Sequence, residues 1–134
     1  MSAGPLFVVL DTNILVSALL TPNGNPSTIL NSIIDGGLRI VFSADIIGEY
    51  RSVLSRERFG FNENDIHDLL LFIENFGFEV NPHRSQISLP DESDRPFFDA
   101  ALEVEAVLVT GNLKDFPPSD HIVAPGEFVR QYLI

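Results

Sequence analysis

Short apolar runs alternate along this chain with segments of helical periodicity, and this alternation constrains the fold more than any other feature. The run from Leu6 to Leu10 is continuous, ends at Asp11, and is followed by a helical pattern to about Leu20. Alternation of this kind is typical of βαβ units, in which helices connect parallel strands. The sequence therefore predicts an α/β fold built around a parallel sheet.

The same pattern predicts the remaining elements. Further strands are expected at Leu38 to Phe42, Phe78 to Val80, Ala106 to Val109 and His121 to Val123. Helices are expected at Ser27 to Asp35, after the caps Ser43 and Asn62, from about Asp94 to Glu103, and from Pro125. We find no repeat or interdomain linker, so residues 1–134 are predicted to form a single domain.

The charge balance and the lack of cysteine narrow the function. Nineteen acidic against eight basic residues give a net charge of −11, which argues against binding nucleic acid through bulk electrostatics. The absence of cysteine excludes disulfide frameworks, thiol catalysis and cysteine-based metal sites. Without a signal peptide, or an apolar run near the ~20 residues that a membrane span needs, a cytoplasmic, soluble protein is expected.

Acidic and polar residues follow several strands at the point where each strand ends. Asp11 follows the first strand, Asp45 lies just after the second, and Thr110 to Asp115 follow the fourth. Ligands of parallel sheets bind outside these carboxyl ends, so Asp11 is a candidate metal ligand. It is equally suited to cap the following helix. Asp45 is expected to be an ordinary acid of a first helical turn.

Helical geometry brings two more carboxylates toward this edge. Asp94 shares the apolar face of its helix with Phe97 and Phe98, so it is expected to point inward, although it also suits a helix N-terminus electrostatically. Asp99 lies on the opposite side and is expected to be solvated. Glu49 flanks the apolar stripe of its own helix and can lean over the sheet edge.

Converging acids repel one another unless a divalent cation lies among them. Oxygen ligands favour Mg²⁺ or Mn²⁺ over zinc, and one or two such ions are expected here. His67, His83 and His121 are scattered and are expected to be surface or structural residues. Phosphate-binding loops, dinucleotide fingerprints and nucleophile elbows do not occur in the sequence.

Nearly the whole chain resembles the PIN-domain ribonucleases, and within them the branch described as toxin components of toxin–antitoxin systems. The resemblance lies in Val9–Leu19, Ser43–Tyr50, Pro90–Phe97, Leu108–Phe116 and Val123–Phe128. It implies a three-layer αβα sandwich with strand order 3-2-1-4-5. It also implies Mg²⁺- or Mn²⁺-dependent cleavage of single-stranded or loop RNA.

The resemblance also implies roles for particular residues. By position, Asp11, Glu49 and Asp94 correspond to the core acids of the family. The fourth position, commonly Asp, is Asn112 here, and Asp115 is expected to supply that ligand directly or through water. Two further side chains are expected to orient the ligands, namely Asn13 and Thr110.

Partners are implied by the same resemblance. It suggests a homodimer that is inhibited by a cognate antitoxin lying in the active-site groove. Eleven Phe residues are compatible with such an interface or with a Phe-rich core. Arg51, Arg56 and Arg58 are expected to contact RNA or antitoxin, or to pair with nearby Glu57.

Three other classes of protein are alternatives to a ribonuclease. A dehalogenase-like phosphatase needs a second Asp two residues after the first, where this chain has Asn13. A response-regulator receiver needs an adjacent acid pair, which the first strand does not provide. A binding or regulatory module with a weakened site is the more serious alternative, because Asn112 removes one acid.

Overall fold

Five parallel strands form one sheet in the computed structural model, which describes residues 5–134. The strand order is β3-β2-β1-β4-β5, so the predicted α/β class and strand order are confirmed. The strands are β1 (Leu6–Leu10), β2 (Leu38–Phe42), β3 (Phe78–Glu79), β4 (Val107–Val109) and β5 (Ile122–Val123).

Helices connect and flank the strands. They are α1 (Thr12–Leu20), α2 (Asn25–Ile34), α3 (Ala44–Leu54), α4 (Glu63–Phe76), α5 (Arg95–Val104) and α6 (Pro125–Phe128). Single 3₁₀ turns lie at Glu57–Phe59, Glu92–Asp94 and Leu113–Asp115, and α6 continues as a π-helical turn over Val129–Leu133. No helix within residues 5–134 is long and apolar enough to cross a membrane.

Two helices begin elsewhere than the sequence predicts. α2 begins two residues early, because Gly24 caps it in an extended conformation and Pro26 lies in its first turn. α5 begins one residue late, because Asp91 accepts a hydrogen bond from the Ser93 backbone N–H and thereby closes the preceding 3₁₀ turn. Asp94 therefore ends that turn and caps α5 by position only, without a side-chain capping bond.

The central strand is the most buried part of the molecule. Val8, Val9 and Leu10 of β1 are fully buried, as expected for a parallel strand covered on both faces. Most Phe side chains are either in this core or packed against it, and Phe76, 65 % exposed, is the exception. The Phe-rich core therefore accounts for the aromatic content without requiring an interface.

Gly77 sets the approach of α4 to the sheet. A Cβ atom at this position would lie 2.5 Å from the Ile73 carbonyl oxygen and 2.8 Å from the Ile40 carbonyl oxygen. Only glycine fits such a close junction between a helix end and a neighbouring strand. The junction places β3 beside β2 and so extends the carboxyl edge of the sheet.

Candidate active site

Asp11 lies at the carboxyl end of the central strand and is held there from several directions. Its backbone N–H donates to the Val109 carbonyl at 3.0 Å, which ties it to β4. Its carboxylate Oδ2 accepts a 2.8 Å bond from the fully buried hydroxyl of Thr110. It occupies the N-cap position of α1 but makes no side-chain capping bond. The carboxylate is therefore held toward Thr110 and β4.

Glu49 is tied to the same strand end from the side of α3. Its Oε2 accepts a 3.2 Å bond from the hydroxyl of Thr12, the residue after Asp11. Glu49 is otherwise exposed, because it lies on the edge of the apolar face of α3. This exposed carboxylate therefore leans toward the sheet edge, as the helical pattern indicates.

Asp94 and Asp115 complete the acidic edge. Asp94 is partly buried at the start of α5, and Asp115 is partly buried in the 3₁₀ turn after β4. The four acids Asp11, Glu49, Asp94 and Asp115 come from four different elements, and we call them the acid cluster.

The pKa values of two carboxyls show how these acids affect one another. The pKa of Asp94 is raised to about 6 by its burial, and then by the negative charges of Asp11, Asp91, Asp115 and Glu49. The pKa of Asp11 is also raised, chiefly by burial and in smaller part by the charges of Glu49 and Asp115, although the bond from Thr110 opposes the change. The cluster is therefore an electrostatically unfavourable concentration of negative charge.

No basic side chain neutralises this charge. In the described part of the chain, the ion pairs within 4.0 Å involve other acids, and none includes a member of the acid cluster. The donors are all carboxylate oxygens, the chemistry that suits a hard divalent cation. Residues 5–134 nonetheless contain no group of three acidic or histidine side chains close enough to hold a metal ion. The donor chemistry therefore fits a metal, whereas a closed set of ligands is not preformed.

The residues expected to orient the ligands differ in their surroundings. Thr110 contacts Asp11 directly and its hydroxyl oxygen also accepts a 3.0 Å bond from the Asn112 backbone N–H. The side chains of Asn112 and Asn13 are exposed, and neither makes a hydrogen bond within the described residues. Of the residues that the sequence predicts to orient the ligands, Thr110 is thus the one that contacts an acid directly, and Thr12, which was not predicted, does so at Glu49.

The three arginines expected near RNA are all exposed. Arg51 lies 4.0 Å from Glu74, and the guanidinium of Arg58 lies over the Phe59 ring at 4.9 Å. Arg56 has no ion pair within residues 5–134, and none of the three pairs with Glu57. Their contact with RNA or antitoxin stays a prediction.

Asp99 corrects one expectation from helical periodicity. It is only 5 % exposed and not solvated, because the segment of residues 81–91 packs over that side of α5. Its Oδ2 accepts from the Ser85 backbone N–H at 3.2 Å, and its Oδ1 lies 3.6 Å from Arg95 Nη1. The segment that covers Asp99 has no periodicity of its own, so the sequence carries no signal of this burial.

Two further features bear on the site. His67, His83 and His121 are exposed, as predicted, and His83 lies 3.3 Å from Glu103. An apolar cavity of about 400 Å³ lies between α5 and the segment before β5, but no member of the acid cluster lines it. The candidate chemistry is therefore at the open sheet edge.

Sequence reasoning missed Tyr50, which is fully buried beside the acid cluster. Its hydroxyl donates a 2.6 Å bond to the carbonyl of Leu10, the last residue of β1. In the sequence, Tyr50 is one residue of an apolar stripe, and that pattern does not distinguish it from an ordinary core side chain. The signal available in the sequence is the hydroxyl of Tyr50, which is a polar group on an apolar stripe that faces the end of a strand.

A parallel α/β sheet with uncompensated carboxylates at the ends of its central strands defines a class of domain suited to divalent cations and anionic substrates. Residues 7–114 match the family model described as PIN domain. The chain is also 34 % identical over 109 residues to an uncharacterised protein of Methanocaldococcus jannaschii, covering 78 % of this chain and 70 % of that protein. This chain belongs to the PIN-domain family. The match supports a nuclease as its general class of activity, in a family that generally uses divalent metal ions.

Proposed function

We propose that this protein is a metal-dependent ribonuclease that hydrolyses phosphodiester bonds of single-stranded or loop RNA in the cytoplasm. The observation that carries the proposal is the acid cluster: burial and then the neighbouring negative charges raise the pKa of Asp94, and within residues 5–134 no basic side chain forms an ion pair with any of the four acids. A cation would relieve that repulsion, and an RNA phosphate would approach a cation more readily than an unscreened acidic edge.

Asp11 and Asp94 are the residues that would hold Mg²⁺ or Mn²⁺, with Glu49 and Asp115 assisting directly or through water. A bound divalent cation supplies polarisation of the phosphodiester and a lower pKa for the attacking water. Thr110 keeps Asp11 oriented, and Thr12 does the same for Glu49. In the proposed reaction the attacking nucleophile is water, so the protein supplies ligands and orientation and no nucleophile of its own.

The direct test is cleavage of an unstructured RNA in Mn²⁺ by the wild type and by Asp11→Asn. We expect the substitution to lower the rate by more than the roughly 10–100-fold typical of residues that only support a metal ligand. Asp45→Asn is the matched control, because Asp45 is an exposed acid in the first turn of α3. Full metal-dependent cleavage by Asp11→Asn would contradict the proposal.

A binding or regulatory module is the second candidate function. Asn112 replaces the fourth acid of the family, and no three-ligand group is preformed among residues 5–134. Calorimetric titration with Mn²⁺ separates the candidates. Binding of Mn²⁺ is expected for the nuclease, whereas no heat of binding at millimolar Mn²⁺ would favour the module.

We also propose that the chain is the toxin of a toxin–antitoxin pair and that it forms a homodimer. The support is the family resemblance, together with exposed apolar side chains on α1, α2 and α4, such as Leu20, Ile34 and Phe76. Light scattering at micromolar concentration is expected to give twice the 14.8 kDa mass of the chain. A monomeric mass would count against the dimer, and failure of any co-expressed partner to inhibit cleavage would count against the toxin role.

A further inference from the structure

Tyr50 places a hydroxyl group in the core at the end of the central strand. The side chain is fully buried, and its O–H donates to the Leu10 carbonyl at 2.6 Å. A buried hydroxyl is costly unless it is hydrogen-bonded, whereas a Phe ring of the same shape would pack without that cost. The hydroxyl is therefore best explained by what it holds, which is the peptide group immediately before Asp11.

The same side chain contacts or adjoins three elements that carry acids. It is the neighbour of Glu49 on α3, and its hydroxyl binds the end of β1. Its ring lies 6.2 Å from the ring of Phe97, which is one turn after Asp94 at the start of α5. A single rigid side chain thus lies where the elements that carry Asp11, Glu49 and Asp94 meet.

We propose that Tyr50 is a positioning residue that fixes the spacing of Asp11, Glu49 and Asp94 through its bond to the Leu10 carbonyl. Two successive residues of α3 then hold the end of β1 by hydrogen bonds, since Glu49 accepts from Thr12 and Tyr50 donates to Leu10. We call this pair of hydrogen bonds the clamp. The consequence for metal binding rests on the proposed function. The clamp itself does not, because it is a property of the folded chain alone.

The test compares Tyr50→Phe, which removes only the hydroxyl, with two controls. Tyr132→Phe makes the same chemical change at the other tyrosine, which is 41 % exposed and whose ring lies 4.8 Å from that of Phe128. Ile29→Val removes one methylene from a fully buried position on α2, and it measures what a general loss of core packing does.

For Tyr50→Phe we expect Mn²⁺ affinity by calorimetry to fall about 10–100-fold, as for other residues that orient metal ligands. With Mn²⁺ saturating, kcat for RNA cleavage is expected to fall while KM stays within about twofold. In metal-free protein, the Asp11 amide, bonded to Val109, is expected to exchange with deuterium at least about tenfold faster, while the Leu108 amide is unchanged. Neither control is expected to show this pattern.

The outcomes separate this inference from the proposed function. If the wild type binds no Mn²⁺, the proposed function fails, and amide exchange alone decides the role of Tyr50. Unchanged exchange at Asp11 in Tyr50→Phe overturns the clamp. Equal losses of Mn²⁺ affinity in Tyr50→Phe and Ile29→Val also overturn it, because general destabilisation would then explain the effect.

Discussion

Asp94 shows how a single side chain can lower the stability of the folded state. Its pKa in the folded protein is about 6, against 3.8 for an unperturbed Asp, because it is partly buried and faces other acids. The folded state therefore binds more protons than the unfolded state between about pH 4 and 6. The free energy of unfolding consequently falls as the pH rises through this window, and the penalty is complete above it.

We therefore expect Asp94→Asn to stabilise the metal-free protein at pH 7.5. The change removes a charge that burial and neighbouring acids disfavour, and the melting temperature is expected to rise by roughly 3 °C. The difference should vanish near pH 4, where wild-type Asp94 is protonated. Thermal melts in EDTA at both pH values measure this, and Asp68→Asn, an exposed acid on α4, is the control. A lower melting temperature for Asp94→Asn at pH 7.5 would contradict the conclusion that burial and the neighbouring acids destabilise the charged form of Asp94.

Arg95 organises a whole segment at the scale of elements. It is 7 % exposed and donates to the Ser85 carbonyl and hydroxyl and to the Ile87 carbonyl. Both oxygens of Glu92 accept from it, and bonds from Arg95 and Arg84 lower the pKa of Glu92 to about 2. The segment of residues 81–91, which has no regular secondary structure, is therefore bound to α5 chiefly through the Arg95 guanidinium, with further bonds from the Ser85 and His83 backbone N–H groups to Asp99 and Glu103.

Arg95→Met is expected to release this segment from α5. Three backbone and hydroxyl contacts are lost at once, so proteolytic cleavage within residues 81–91 should accelerate at least about tenfold. Limited proteolysis followed by mass spectrometry identifies the cut sites. Arg84→Met is the control, because Arg84 is an exposed arginine that also contacts Glu92 but holds no backbone group of the segment. Equal cleavage of the two variants would show that the segment is held by other contacts.

The sequence predicted individual elements better than the contacts between them. Apolar runs and caps predicted β1, β2 and α4, because periodicity and capping are local properties. The strand order came from the family resemblance, since periodicity carries no information on which strands pair. The burial of Asp99 and the bond from Tyr50 to Leu10 were not predicted, because both depend on partner groups that are distant in sequence. The acid cluster was predicted as a set, and its function as a metal site stays a prediction.

The whole molecule carries a charge of −11, which limits how it can bind RNA. Its basic side chains are few, and most of its ion pairs lie between surface residues. On the proposed function, affinity for RNA would then depend on a cation at the acid cluster, on local arginines and on base stacking. Non-specific binding to duplexes is expected to be weak for the same reason.

Salt dependence tests this expectation for the intact protein. We plot the logarithm of the affinity for single-stranded RNA, measured in EDTA, against the logarithm of the salt concentration. The slope is expected to be no steeper than about −2, because each of three arginine contacts contributes about −0.7. Fluorescence anisotropy across a salt series measures the slope. A slope near −4 or steeper would reveal a basic surface that the charge distribution does not predict.

The bond from Thr110 to Asp11 joins residues 99 positions apart, and it has a consequence for the timing of synthesis. The strand that precedes Asp11 is made well before its neighbour β4 and the turn that holds Asp115. A nascent chain that has only reached residue 105 therefore lacks both the hydroxyl that orients Asp11 and one of the four acids. The acid cluster consequently does not exist while the ribosome, which is itself largely RNA, synthesises the residues between Asp11 and Thr110.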